Sequence, residues 1–141
     1  MLIDTHAHTK FSTDSKMTIN QVLDTVRETG AGVILTEHMD LDYPKPMAFV
    51  FDVDEYFREY ERFRSDRLLL GIEIGMRNEL VDQSRAKIDG YPFDYVLGSI
   101  HVVAGIDIYT EEYYTGRTKQ EVYGQYFQAM IDCVASHEFI D

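Results

Sequence analysis

The sequence predicts an α/β domain built from parallel βα repeats. Three observations carry this expectation. Short aliphatic runs begin near residues 2, 32, 68, 93 and 138. Each interval between them is long enough for a crossover helix. The intervening segments place their apolar residues at helical spacing. The 141 residues amount to one domain. A closed barrel of this type takes about 250 residues, so the expected architecture is part of a barrel, truncated after about four to five strands.

The elements follow in order. Residues 2–5 form a short first strand. Ile19, Val22, Leu23 and Val26 recur at helical spacing, and Gly30 ends that helix. Residues 32–36 are a second strand, followed by a loop over 40–51 that holds Pro44 and Pro46. Asp54 or a neighbour caps a helix running to about Arg64, with Val53, Tyr56, Phe57, Tyr60 and Phe63 on one side. A third strand spans 68–74, a weaker helix 79–88 and a fourth strand 93–99. A polar and aromatic segment over 104–117 precedes the longest helix, 119–136, with Tyr123, Tyr126, Phe127, Met130 and Val134 on its expected buried stripe. Residues 139–141 read as the start of a fifth strand.

Composition narrows the function. The hydrophobic fraction is 45% and the aromatic fraction 13%, which is a globular composition with a core. The net charge of −12 argues against a nucleic-acid binder that works by neutralising phosphates. No apolar run approaches the roughly 18 residues of a membrane span. The first ten residues carry acid and histidine where a signal peptide carries a basic region and then an apolar one. Cys133 is the only cysteine, so an internal disulfide is excluded. The expectation is a cytoplasmic protein with neither a nucleic-acid nor a membrane partner. An anionic ligand would have to be attracted by something other than net charge, and bound metal ions would serve.

Functional residues of parallel βα proteins gather at the carboxyl ends of the strands. Each strand end here carries a metal-type ligand. His6 and His8 follow the first strand, and in extended chain i and i+2 point to one side. Asp14 comes shortly after them. His38 follows the second strand, Glu73 lies at the end of the third, and His101 follows the fourth. Glu73 interrupts an apolar run, where an unpartnered carboxylate is costly and a cation removes the cost. Histidine with Asp and Glu, and no cysteine pair, suits Zn²⁺, Mn²⁺ or Fe ions.

Each residue alone has a plainer reading. His38 and His101 read singly as hydrogen-bonded structural histidines. Glu73 has Arg77 or Arg67 as alternative partners, and Asp14 a turn with Ser12 or Ser15, or a helix cap. Glu37 and Asp40 flank His38 either as supporting partners or as solvated charges. Tyr109, Tyr113 and Tyr114 read as packing or as a substrate-facing loop. His137 matches no pattern, and Cys133 reads as a small buried hydrophobe.

The segments Asp4-Thr-His6-Ala-His8-Thr, Phe11-Ser-Thr-Asp14-Ser, Thr36-Glu-His38, Gly71-Ile-Glu73-Ile-Gly75 and Gly98-Ser-Ile-His101 together resemble the first motifs of the PHP (polymerase and histidinol phosphatase) superfamily, in its histidinol-phosphatase branch. The resemblance implies a distorted (β/α)7 barrel with up to three divalent ions at its strand ends, and residues 1–141 as the N-terminal part of a single PHP domain. It implies that His6 and His8 bind one ion, that Glu73 bridges two, that His101 and Asp14 complete neighbouring sites, and that His38 lies near the third. His6, His8, Glu73 and His101 would then form the catalytic set. Asp14 stands where many superfamily members have a third histidine, as in the histidinol-phosphatase branch. The Gly-His-x-Asp and Asp-x-His motifs of the family, and its basic phosphate-binding residue, do not fall within these residues.

The implied activity is metal-dependent hydrolysis of a phosphate monoester, L-histidinol phosphate, in histidine biosynthesis, by attack of a metal-activated hydroxide. A PHP phosphodiesterase and a non-catalytic structural or regulatory PHP domain are the alternatives. An open barrel edge also predicts a homo-oligomer.

Overall fold

Largely aliphatic runs form β2 (Gly32–Met39), β3 (Leu68–Gly75) and β4 (Tyr95–Ser99), and the mixed segment Ile-Asp-Thr-His-Ala forms β1 (Ile3–Ala7). In the computed structural model, which describes residues 1–141, these strands lie in chain order in one sheet. All are parallel, and the sheet is curled as part of a barrel wall. β2 is buried along its whole length, as expected of a central parallel strand covered on both faces.

The crossovers are the helices α1 (Ile19–Thr29), α2 (Val53–Tyr60) and α3 (Val81–Ile88). Thr18 and Gln21 close a capping box at the start of α1, and Gly30 ends it in the left-handed conformation at φ 70°. The cap of α2 is Asp52, whose side chain accepts from the Glu55 amide. After β4 comes a small antiparallel hairpin, β5 (Val102–Val103) and β6 (Ile106–Asp107), then the single turn α4 (Glu111–Tyr114) and the long helix α5 (Lys119–Ser136). The hairpin lies partly inside the segment that the sequence reads only as polar and aromatic. No helix is long and apolar enough to cross a membrane.

Two apolar clusters hold the layers together. Val22 of α1, Tyr56 and Tyr60 of α2, and Leu35, Leu68 and Leu70 of the sheet form one. Ile72, Ile74, Val96, Tyr113, Val122 and Cys133 belong to the other. The Tyr56 hydroxyl, fully buried, donates to the Leu35 carbonyl at 3.0 Å, so its polar end carries no desolvation penalty.

Two expectations are corrected. Helix α5 buries Val122 and Cys133 and partly buries Tyr126 and Met130, while Tyr123, Phe127 and Val134 are about half exposed. The helix carries two adjacent apolar stripes, and contact with the core selected the one through Val122 and Cys133. Residues 139–141 form no strand. The Asp141 amide donates to the Val96 carbonyl at 3.0 Å, and its carboxylate accepts from the Val96 amide at 2.9 Å, at the outer edge of β4, without a strand ladder.

Candidate metal centre

The register of the sheet builds the site. His38 of β2 is paired directly with Glu73 of β3, so two ligand-type side chains project from adjacent strands at the same height. An irregularity in β1 between Asp4 and Ala7 re-aims the chain just where His6 and His8 leave it. His101 follows β4 by two residues. Glu73, fully buried, sits in the middle. Its Oε2 lies 3.0 Å from His6 Nε2, 3.5 Å from His8 Nε2 and 3.4 Å from His38 Nδ1. His101 Nε2 is 3.3 Å from its Oε1, and Asp14 Oδ2 is 3.6 Å from His38 Nε2. All six residues singled out in the sequence therefore meet in one cleft of about 820 Å³. Neither arginine considered as a partner for Glu73 pairs with it. Arg77 binds Glu79 and Asp42, and Arg67 donates to the Gly30 carbonyl.

Asp40 is the residue whose role the sequence left open. It is buried and uses both oxygens, Oδ1 on His101 Nδ1 at 2.7 Å and Oδ2 on His38 Nδ1 at 3.0 Å. A carboxylate that accepts from Nδ1–H fixes the tautomer with a free Nε2 lone pair. His38 Nε2 then points towards Asp14, and His101 Nε2 towards Glu73. Gly75 makes this possible, because a β-carbon there would overlap the Asp40 carboxylate. Glu37 acts one layer further back. It is fully buried and accepts from the Thr9 amide at 2.9 Å and the Ser12 hydroxyl at 2.6 Å. These bonds tie the segment that carries His8 to β2. Of the three tyrosines, Tyr113 is packing, whereas Tyr109 is exposed and lines the cleft. His137 is fully buried away from the cleft, and its Nδ1 bonds the Cys133 carbonyl at 2.8 Å.

The charges respond to this crowding. Burial alone would lower the His101 pKa, but the Asp40 and Glu73 carboxylates outweigh it and hold the imidazole at about 10. Burial would raise Glu73, yet the neighbouring His101 and Ser99 side chains and the charges on His38 and His101 hold it at about 2. His8 is pushed down, first by burial and then by the His38 charge.

The donor set fits divalent cations. His8 Nδ1 is buried with no hydrogen-bond partner, and buried Glu73 Oε1 has only the long 3.3 Å approach of His101 Nε2, a costly state that a cation relieves. His6, His8 and Glu73 form one triad with donor atoms within 4.8 Å of one another, and His8, Asp14 and His38 form a second. His38, Asp40 and His101 form a third by distance, but the Asp40 oxygens there are already spent on the two Nδ1 atoms. The donors are nitrogen and oxygen without thiolate, which suits Zn²⁺, Mn²⁺ or Fe ions.

The chain is 50% identical, over its whole length, to a probable histidinol-phosphatase of Clostridium acetobutylicum, of which it covers 55%. It is 29% identical over 143 aligned positions to the histidinol-phosphatase of Lactococcus lactis subsp. lactis, matching 96% of this chain and 53% of that one. The crystal structure of the histidinol phosphate phosphatase from that organism, complexed with zinc, L-histidinol and phosphate, superposes with a TM-score of 0.91 at 29% identity, over 99% of this chain and 56% of that chain. The chain thus spans about half the length of these relatives. Residues 4–138 match the PHP domain model, and the chain belongs to the PHP domain family.

Proposed function

We propose that the chain forms the N-terminal part of a single PHP domain whose activity is hydrolysis of L-histidinol phosphate to L-histidinol and phosphate. The observation that carries this reading is the convergence of His6, His8, His38 and His101 on the buried carboxylate of Glu73, at the carboxyl ends of parallel strands. The names of the relatives and the zinc, histidinol and phosphate bound in the Lactococcus protein support it.

In this reading His6, His8 and Glu73 would hold one divalent ion, Asp14 and His38 would contribute to a second, and Glu73 with His101 to a third. Zinc is the favoured occupant over Mn or Fe. Bound ions of this kind neutralise phosphoryl charge and activate water for in-line attack. The protein's own groups set the geometry. Asp40 accepts from Nδ1–H of two imidazoles, so that Nε2 is the nitrogen left to ligate once any proton on it is released, and Glu73 keeps its charge because its pKa of about 2 lies far below neutrality. Protonation of the departing alkoxide falls to a His or Asp at a strand end. The work is cytoplasmic in this reading, consistent with biosynthetic relatives.

The test is phosphate release from L-histidinol phosphate by the zinc-loaded chain. Release that is abolished by a chelator supports the reading. Preference for a nucleotide diester would replace it with the phosphodiesterase alternative. Full zinc occupancy without turnover would favour a non-catalytic role for these residues. We also propose self-association through the open barrel edge at β4, which Asp141 bonds only at Val96, and the exposed Tyr123, Phe127, Ile131 and Val134 face of α5. A strictly monomeric light-scattering mass at high concentration would contradict it.

A further inference from the structure

One wall of the cleft is the loop between β2 and α2, and it carries Lys45. The loop is pinned on several sides. The Asp40 amide donates to the Phe49 carbonyl at 2.7 Å, and the Phe49 amide to Thr13 Oγ1 at 2.8 Å. Arg77 donates to the Asp42 carbonyl at 3.0 Å. The Tyr43 hydroxyl donates to Asp107 Oδ2 at 2.5 Å, which ties the loop to the β5–β6 hairpin. Asp42, Met47 and Phe49 have φ of 54°, 62° and 55°, a left-handed conformation that non-glycine residues keep only where the surroundings fix it. Lys45 opens a turn closed by the Ala48 amide on its carbonyl at 3.2 Å. Pro46 and left-handed Met47 are its central residues, the type II pattern. Pro44 and Pro46 restrict the backbone on both sides of the lysine.

This construction presents a lysine to a cleft lined by four histidines and four carboxylates. Asp14, Asp40, Glu73 and Asp107 line it, and Lys45 is its only Lys or Arg. Lys10, elsewhere on the surface, is neutralised by Glu59 at 2.6 Å; Lys45 has no such ion pair. We propose that Lys45 binds a non-bridging phosphoryl oxygen of the substrate. This proposal rests on the phosphatase reading above. Lysine offers a compact charge on a flexible stem, suited to a tetrahedral dianion held mainly by metal ions. The acids around it would otherwise repel that dianion.

The experiment is calorimetric titration of inorganic phosphate into the zinc-loaded chain, for wild type, Lys45→Met and Lys45→Arg, with zinc content verified for each. Lys45→Met is expected to weaken phosphate binding about tenfold, about 1.4 kcal/mol, at unchanged zinc content. Lys45→Arg should restore most of the loss, and the wild-type advantage should shrink as salt is added. Equal phosphate affinity in wild type and Lys45→Met would overturn the proposal and leave the phosphatase reading standing. Failure of the zinc-loaded wild type to bind phosphate would overturn both.

Discussion

Replacing Asp40 by asparagine tests the idea that ligand orientation, and not merely ligand identity, sets metal affinity. Asp40 is 3% exposed and accepts from two imidazole Nδ1 atoms, at 2.7 Å and 3.0 Å. Asparagine keeps one acceptor and replaces the other with an NH₂ donor. One histidine therefore faces a donor and must turn its lone pair to Nδ1, which removes the Nε2 lone pair from the centre. Each charge-assisted bond of this sort is worth roughly 1.5–3 kcal/mol. Partners that orient metal ligands typically change affinity by about 10–100-fold. A zinc affinity lower by that factor is expected, measured by competition with a chromophoric chelator. Far-UV circular dichroism should show an unchanged fold. Wild-type zinc affinity in a folded Asp40→Asn protein would refute the reasoning.

Further outcomes follow from the same geometry. Gly75→Ala should lower zinc affinity without touching a ligand, since its β-carbon displaces the Asp40 carboxylate, and should cost about 1–3 kcal/mol of stability in chemical denaturation. His8→Ala and Glu73→Ala should each reduce bound metal in elemental analysis of purified protein; unchanged content in both would remove these residues from the ligand set. Glu37→Ala leaves the buried Thr9 and Ser12 groups without their acceptor, with an expected loss of roughly 2–4 kcal/mol in denaturant unfolding. In the metal-free protein the His101 pKa is raised from 6.5 to about 10. Its contribution to stability is therefore complete below about pH 6.5 and fades as pH rises through about 10. Zinc binding at neutral pH should release a proton from this ring, visible as buffer-dependent binding heats. An imidazole resonance for His101 titrating near 6.5 would contradict both statements.

The strands and the residues that meet in the cleft were legible because each depends on local signals. The run 68–72 is apolar enough to be a buried strand in any context, and Glu73 at its end is conspicuous for the same reason. Roles that depend on register were not legible. Nothing near Asp40 in the chain shows that it meets His101, 61 residues away, or that Glu37 turns to Thr9 and Ser12 instead of to solvent. The two-residue strands β5 and β6 are too short to show a period. The rotation of α5 was ambiguous because apolar residues lie on both sides of its Val122–Cys133 face. Lys45 reads as an ordinary solvated lysine until the pinned loop places it in the cleft. The flanking Pro44 and Pro46 were the only hint of rigidity there.

The most direct test of the account is an anomalous diffraction map from crystals of the zinc-loaded chain. Zinc peaks are expected within bonding distance of the His6, His8 and His101 imidazoles and the Glu73 carboxylate, at about 2.0–2.2 Å from their donor atoms. Zinc bound only elsewhere on the acidic surface, with these four side chains free of metal, would contradict it.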